Sequence, residues 1–279
     1  MSAVRERSAP PEPPESSALT CRICLEEEPE GLLRQACGCR GEGNGIHISC
    51  AARSCAGEQN VFCKVCRMRF ALPVAERVYR DVLDLDDVPD YVRIGFQVQL
   101  GEVLERQGRD AEAHAELVAA LGRTNDVIMQ GRVLKTLAKV LTRSGRYSEA
   151  GRHLDTAERA FATLPLEAGW QWLAGIRFNR VEVYEAKGEY HAAAELLRAV
   201  VVTNVEQAGE DAHDTMVARG KLVLMLHKSG DNSSASRELQ QLMPRALRIL
   251  GGRHPDYLQL AILRDMVDGA TVEESGGGE

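Results

Sequence analysis

Seven cysteines and one histidine form a metal-ligand pattern: Cys21-x2-Cys24-x12-Cys37-x-Cys39-x7-His47-x2-Cys50-x12-Cys63-x2-Cys66. Each of the four short pairs can offer two donors from one turn. Zinc takes four ligands tetrahedrally, so eight ligands fill two closed structural sites, two Zn2+ in all. Spacing alone leaves two pairings open, sequential or interleaved. The stretch CGCRGEGNGIHISC at 37–50 has no hydrophobic run to bury. Its glycines let the backbone wrap tightly around a metal, and metal ions there substitute for a hydrophobic core. His47 has a fixed place in the register and reads as a ligand. Cys55 is the eighth cysteine. It is read as a spare thiol, although a shifted site would use it in place of Cys50.

The elements that must position these ligands are bounded by composition. The chain has 279 residues and a formal net charge of -7, which argues against nonspecific binding to nucleic acid. No apolar run approaches the ~18–20 residues of a membrane span, and the N-terminal stretch MSAVRERSAPPEPPESSA is no signal peptide. The expectation is a soluble intracellular protein, cytoplasmic with the nucleus left open, where clustered thiols point to metal before disulfides.

Composition also predicts the organisation. Residues 1–18, rich in Pro, Glu and Ser, read as a disordered tail; 19–72 hold the cysteines. Residues 73–90 read as a linker with a short helix, 91–268 as helical, and 269–279 as a flexible tail. The helical region repeats itself: RQGRDAEA at 106–113, RSGRYSEA at 143–150, AKGEYHAA at 186–193 and KSGDNSSA at 228–235. The turn glycines Gly108, Gly145, Gly188 and Gly230 are 37, 43 and 42 residues apart, a spacing typical of stacked repeats. Each Gly is expected to end one helix in a left-handed cap. Ala113, Ala150, Ala193 and Ala235 then lie early in a second helix, where small side chains allow close approach. Leu117, Leu154, Leu197 and Leu239 follow on the same face. Such amphipathic pairs must stack to bury their faces.

This pattern resembles the tetratricopeptide repeat. Gly101 and Ala138 occupy its small-residue position, and Tyr147 and Tyr190 its aromatic position. The spacing is similar to the kinesin-light-chain variety, as is the joining segment LGGRHPDYL at 250–258; AGEDAHDTM at 208–216 matches it loosely. The fourth repeat departs most, with Asn232 for the aromatic and Val223 for the small residue.

The cysteine segment resembles the RING-CH finger across 21–70. By that resemblance the sites interleave: Cys21, Cys24, His47 and Cys50 bind one zinc, and Cys37, Cys39, Cys63 and Cys66 the other. The PHD finger shares the ligand order but usually has a longer second pair, a shorter gap to His and a Trp two residues before the last pair; position 61 is Val. RING fingers carry no catalytic side chain and act by positioning a ubiquitin-conjugating enzyme charged with ubiquitin. The resemblance implies that Ile23 contacts that enzyme and that Arg67 braces ubiquitin. One position departs: Ser54 stands where the family usually places a Trp on the enzyme-binding surface. Phe62 is the candidate substitute.

Lys135, Lys139 and Arg143, with Arg132, form a basic stripe at helical spacing. Matched to tetratricopeptide positions, these three face a groove suited to an acidic protein or peptide segment; the plain alternative is a solvated face. Trp170 and Trp172 are read mainly as packing between repeats. His114, His153, His191 and His227 show no metal spacing, and no phosphate-binding loop or nucleophile–base arrangement is present. The fold class is therefore mainly α, a small two-zinc RING-CH finger followed by an α-solenoid. The functional expectation is a soluble RING-type ubiquitin ligase whose repeats recruit a protein substrate. The alternative is a non-enzymatic zinc-finger scaffold. Ile23 and Arg67 favour the first, Ser54 the second.

Overall fold

A computed structural model describes residues 20–26, 32–34, 36, 45–58, 62–63 and 66–276. The expected N-terminal tail at 1–18, and the ligand candidates Cys37 and Cys39, lie outside these residues. The chain divides into two compact units, residues 1–103 and 104–279.

In the first unit, strands β1 (Leu32–Arg34) and β2 (Gly45–His47) pair antiparallel, with Leu33 opposite Ile46. Helix α1 (Ile48–Glu58) follows β2 directly, and α2 (Leu72–Leu83) starts with Pro73 in its first turn, where the missing N–H costs nothing. The finger does not rely on metal alone. Ile46, Ile48, Ala51, Ala52, Cys55 and Phe70 are buried, as are Ala75, Val78, Tyr79 and Val82 of α2. Tyr79 also meets Phe96 of helix α3 (Asp90–Arg106), with ring centroids 5.6 Å apart. Ile46 and Ile48 are the contribution of the 37–50 stretch, and the rest of this apolar surface comes from α1, Phe70 and the α2 segment beyond the last cysteine.

The second unit is a run of helical hairpins. Helices α4 (Asp110–Leu121), α5 (Val127–Arg143), α6 (Tyr147–Phe161), α7 (Leu166–Lys187), α8 (Tyr190–Ala208), α9 (His213–Lys228), α10 (Asn232–Leu250) and α11 (Pro255–Gly276) each pack on the next. The turn glycines behave as expected, with φ of +77°, +73°, +77° and +84° at Gly108, Gly145, Gly188 and Gly230. The same cap closes every hairpin. The amides of Arg109, Arg146, Glu189 and Asp231 donate to the carbonyls of Leu104, Leu141, Tyr184 and Leu226, the six-to-one bond of a Schellman motif. Ala113, Ala150, Ala193 and Ala235 have no exposed surface, and Leu117, Leu154, Leu197 and Leu239 are buried beside them.

One departure in the repeats, and one close contact, have local explanations. Asn232, in place of the aromatic, is buried and held by His227 Nδ1 at 2.8 Å. Gly131 on α5 lets the Phe161 ring lie against the helix backbone: a Cβ there would fall 1.8 Å from Phe161 Cε2. Phe161 in turn stacks on Trp172, centroids 5.5 Å apart and 6° from parallel.

Candidate metal centre and enzyme-binding surface

The first ligand pair sits in a tight turn. Leu25 N donates to Cys21 O, and Cys21 N to Glu26 O. The last pair sits in the same turn, with Arg67 N donating to Cys63 O and Cys63 N to Met68 O. Leu25 (φ +65°) and Arg67 (φ +57°) each follow a second cysteine, and among the described residues they are the non-glycines with positive φ. A left-handed residue without glycine is costly and needs a reason. At Cys21–Cys24 the turn brings the two thiols together. The same backbone hydrogen bonds and left-handed residue recur at Cys63–Cys66.

Four donors are brought together: the Sγ atoms of Cys21, Cys24 and Cys50 and a ring nitrogen of His47 lie within 4.8 Å of one another. His47 Nδ1 is 3.3 Å from Cys24 Sγ and 3.9 Å from Cys50 Sγ. A tetrahedral ion with bonds of ~2.0–2.3 Å has ligand separations of roughly 3.3–3.8 Å, so the set fits zinc in size and donor type. β2 carries His47 and the first turn of α1 carries Cys50, three residues on. The set is electrostatically uneven. Burial pushes the Cys21 thiol up, but hydrogen bonds from the His47, Cys24 and Ile23 amides outweigh it and bring it to about 6. Burial and the neighbouring thiols Cys24 and Cys21 push Cys50 up to about 12. One thiolate is thus prepared by the backbone. A divalent cation would favour the thiolate form of the others.

Cys63 is buried, with Arg22 Nη2 3.2 Å from its sulfur, and Cys66 is half-buried. Cys55 is buried on α1 and is not in the convergent group. Ile23, 46% exposed, and Phe62, 36% exposed, line one small cavity of about 150 Å³ together with Ser54, Ile46, Ala51 and Phe70. Arg69 lies over the Phe62 ring at 5.5 Å. Arg67 is exposed.

The basic stripe divides. Lys139 Nζ and Arg143 Nη1 bind Glu105, a carboxylate only 5% exposed, at 3.1 and 2.9 Å. Arg143 also reaches the Glu105 carbonyl and lies 3.7 Å from Asp110. Lys135 makes no ion pair among the described residues; it lines a cavity with Trp170, Phe178 and Asn179. Sequence reasoning missed Glu105, although it stands three residues before a turn glycine. Glu185 stands at the equivalent place before Gly188 and takes Lys221 and Lys228 at 2.5 and 2.7 Å.

Residues 21–66 match the RING-variant domain, and the chain carries that domain there, with a Cys/His cluster that points to zinc binding. No curated protein matches the chain. Solved structures show its helical fold. The nearly identical TPR-like repeats of a Podosopora anserina kinesin light chain protein superpose with a TM-score of 0.54 at 17% identity, covering 72% of this chain and 93% of that one. BtubC (BKLC) from P. vanneervenii superposes at 0.55 and 14% identity, covering 75% and 91%. The fold is therefore a RING-variant finger followed by TPR-like hairpins. A RING-variant domain points to the ubiquitin-ligase class. No helix among the described residues is long and apolar enough to cross a membrane.

Proposed function

We propose that the protein is a RING-type ubiquitin ligase acting in the cytoplasm, and that its repeats recruit a protein substrate. One zinc is held by Cys21, Cys24, His47 and Cys50, and a second by Cys37, Cys39, Cys63 and Cys66. The finger binds a charged ubiquitin-conjugating enzyme at the cavity shared by Ile23, Ser54 and Phe62, and Arg67 braces ubiquitin. The shared cavity carries the reading: two partly exposed apolar side chains flank an opening large enough for one apolar side chain of the enzyme. Ser54 leaves that opening unfilled, and Phe62 contributes the aromatic surface beside it. Catalysis then comes from holding the thioester in a reactive orientation, with no covalent chemistry on this chain.

The test is self-ubiquitylation by the full chain against a panel of conjugating enzymes. Zinc content and circular dichroism are measured on every sample. The wild type should build ubiquitin chains, and Ile23→Ala and Arg67→Ala should each lose tenfold or more while keeping zinc and fold. The scaffold reading, favoured by the small side chain of Ser54, gains if a folded, zinc-loaded chain is silent with every enzyme.

A further inference from the structure

Two cavities lie side by side on the first helices of the hairpins. One, of about 310 Å³, is polar: Lys135, Gln171, Asn179, Asn204 and Asp214 surround it beside Trp170. The other, of about 420 Å³, is largely apolar and is walled by Met216, Leu224, Leu260, Leu263 and Met266. Phe178 and Val217 line both, so the two adjoin. Val217 and Met266 are 40% and 48% exposed, and apolar surface of this kind beside a cavity marks a place for a partner.

Three observations define the occupant. Asn204 is buried and its Nδ2 donates to the Asp214 carbonyl at 3.3 Å, but its Oδ1 has no hydrogen-bond partner. Buried acceptors are rarely left unpaired, and the residue that carries this one lines the polar cavity. Lys135 makes no ion pair among the described residues, whereas Lys139 and Arg143 on the same stripe are held by Glu105 and Lys221 is held by Glu185. Asp214 is the lining carboxylate, and it lies 3.8 Å from His213. Beyond Phe178 and Val217 the lining turns apolar.

We infer that the two cavities form one channel for an extended peptide segment carrying an acidic side chain and a large apolar one. The acid meets Lys135, a backbone N–H of the segment satisfies Asn204 Oδ1, and the apolar side chain enters the cavity between α9 and α11. Neighbouring helices are ~8–10 Å apart, the path from Lys135 on α5 to the cavity between α9 and α11 crosses about two such spacings, and an extended chain advances ~3.3 Å per residue, which places the two side chains about five or six residues apart. The inference rests on the reading that the repeats recruit a protein substrate, and it states that substrate's recognition element.

The probe is a random peptide library displayed on phage and selected on the full-length chain. Enriched peptides are then remade with a fluorescent label and titrated by polarisation. The expected consensus is Asp or Glu about five or six positions from Leu, Ile, Phe or Met. Val217→Glu should weaken the enriched peptide at least tenfold, and Asn204→Ala several-fold. Selection on Lys135→Glu should replace the acidic residue by Lys or Arg, and because Lys135 is partly exposed that variant decides the matter even if Asn204→Ala misfolds. No enrichment, a consensus without an acid, or a titration unchanged by both Lys135→Glu and Val217→Glu would overturn the inference. Self-ubiquitylation measured on the same preparations separates the two proposals. Bound peptide with a silent finger removes only the ligase, and an active finger without a selected peptide removes only the channel.

Discussion

The contact between Gly131 and Phe161 yields a prediction whose sign runs against helix propensity. Alanine in place of glycine within a helix is ordinarily worth about 0.5–1 kcal/mol. Gly151, inside α6, has nothing within 4 Å of the position its Cβ would take, so Gly151→Ala should raise the melting temperature of the helical unit by about 1–4 °C. Gly131, inside α5, receives the same propensity gain, but its Cβ would lie 1.8 Å from Phe161 Cε2 and 2.2 Å from Cζ. The ring is 1% exposed and stacked on Trp172, so it must move as a body. Overpacking costs about 1–3 kcal/mol, and full expulsion of a Phe ring approaches about 3–5 kcal/mol. After the propensity gain, Gly131→Ala should cost about 2–4 kcal/mol and lower the melting temperature by roughly 5–15 °C. Scanning calorimetry of the two variants beside the wild type makes the comparison. If Gly131→Ala melted at or above the wild type while Gly151→Ala behaved as stated, the close packing of Phe161 on α5 would be wrong.

Three further outcomes follow from charge and metal. Chelation should release zinc, and because most helices lie in the second unit, the ellipticity at 222 nm should keep most of its amplitude; loss of nearly all of it would mean that the repeats need the metal. Removing Arg143 leaves buried Glu105 with Lys139 alone; since Arg143 is itself partly exposed and screened, Arg143→Ala should cost about 1–3 kcal/mol, and the double variant with Lys139→Ala should cost more than the sum of the singles in denaturant titrations. Burial holds Glu182 above the ordinary carboxylate range, only partly offset by Lys139 and Lys221, so the folded chain binds that proton more tightly than the unfolded one. Its ionisation therefore takes away stability as pH rises past the ordinary value of ~4.3. Glu182→Gln should melt above the wild type at pH 7, with the advantage disappearing towards pH 4. An advantage independent of pH would refute that account.

Much of the fold was legible because glycine and alanine leave few alternatives. A hairpin that ends in Gly and resumes with a small residue four or five positions on can only cap and pack in one way, and all four instances did so. The first ligand set was legible too, since Cys21 and Cys24 and then His47 and Cys50 come as close pairs, and the four donors converge. The core of the first unit was less so. Most of its apolar residues lie on α1 and on α2, past the last cysteine, and only Ile46 and Ile48 come from the 37–50 stretch. The left-handed conformations of Leu25 and Arg67 were hidden too, because neither residue type favours that region and only the ligand turn imposes it. Asn232 was read as a missing aromatic, yet the His227 that holds it had been given no role.

The charges on the first helices show how a repeat rule changes the reading of a single stripe. Glu105 and Glu185 each stand three residues before a turn glycine, and Arg143 and Lys228 each stand two before the next one. Each Glu takes the following hairpin's cation, Arg143 at 2.9 Å and Lys228 at 2.7 Å. The same clamp therefore recurs every second hairpin. A cation near a turn glycine belongs to that clamp, and its attraction for an outside acid is largely answered from within. The reach of the clamp is not set by distance from the turn alone: Lys221, nine residues before Gly230, still pairs with Glu185 at 2.5 Å. Lys135, ten residues before Gly145, makes no ion pair among the described residues, so membership of a basic stripe does not by itself tell which lysine is left for a partner.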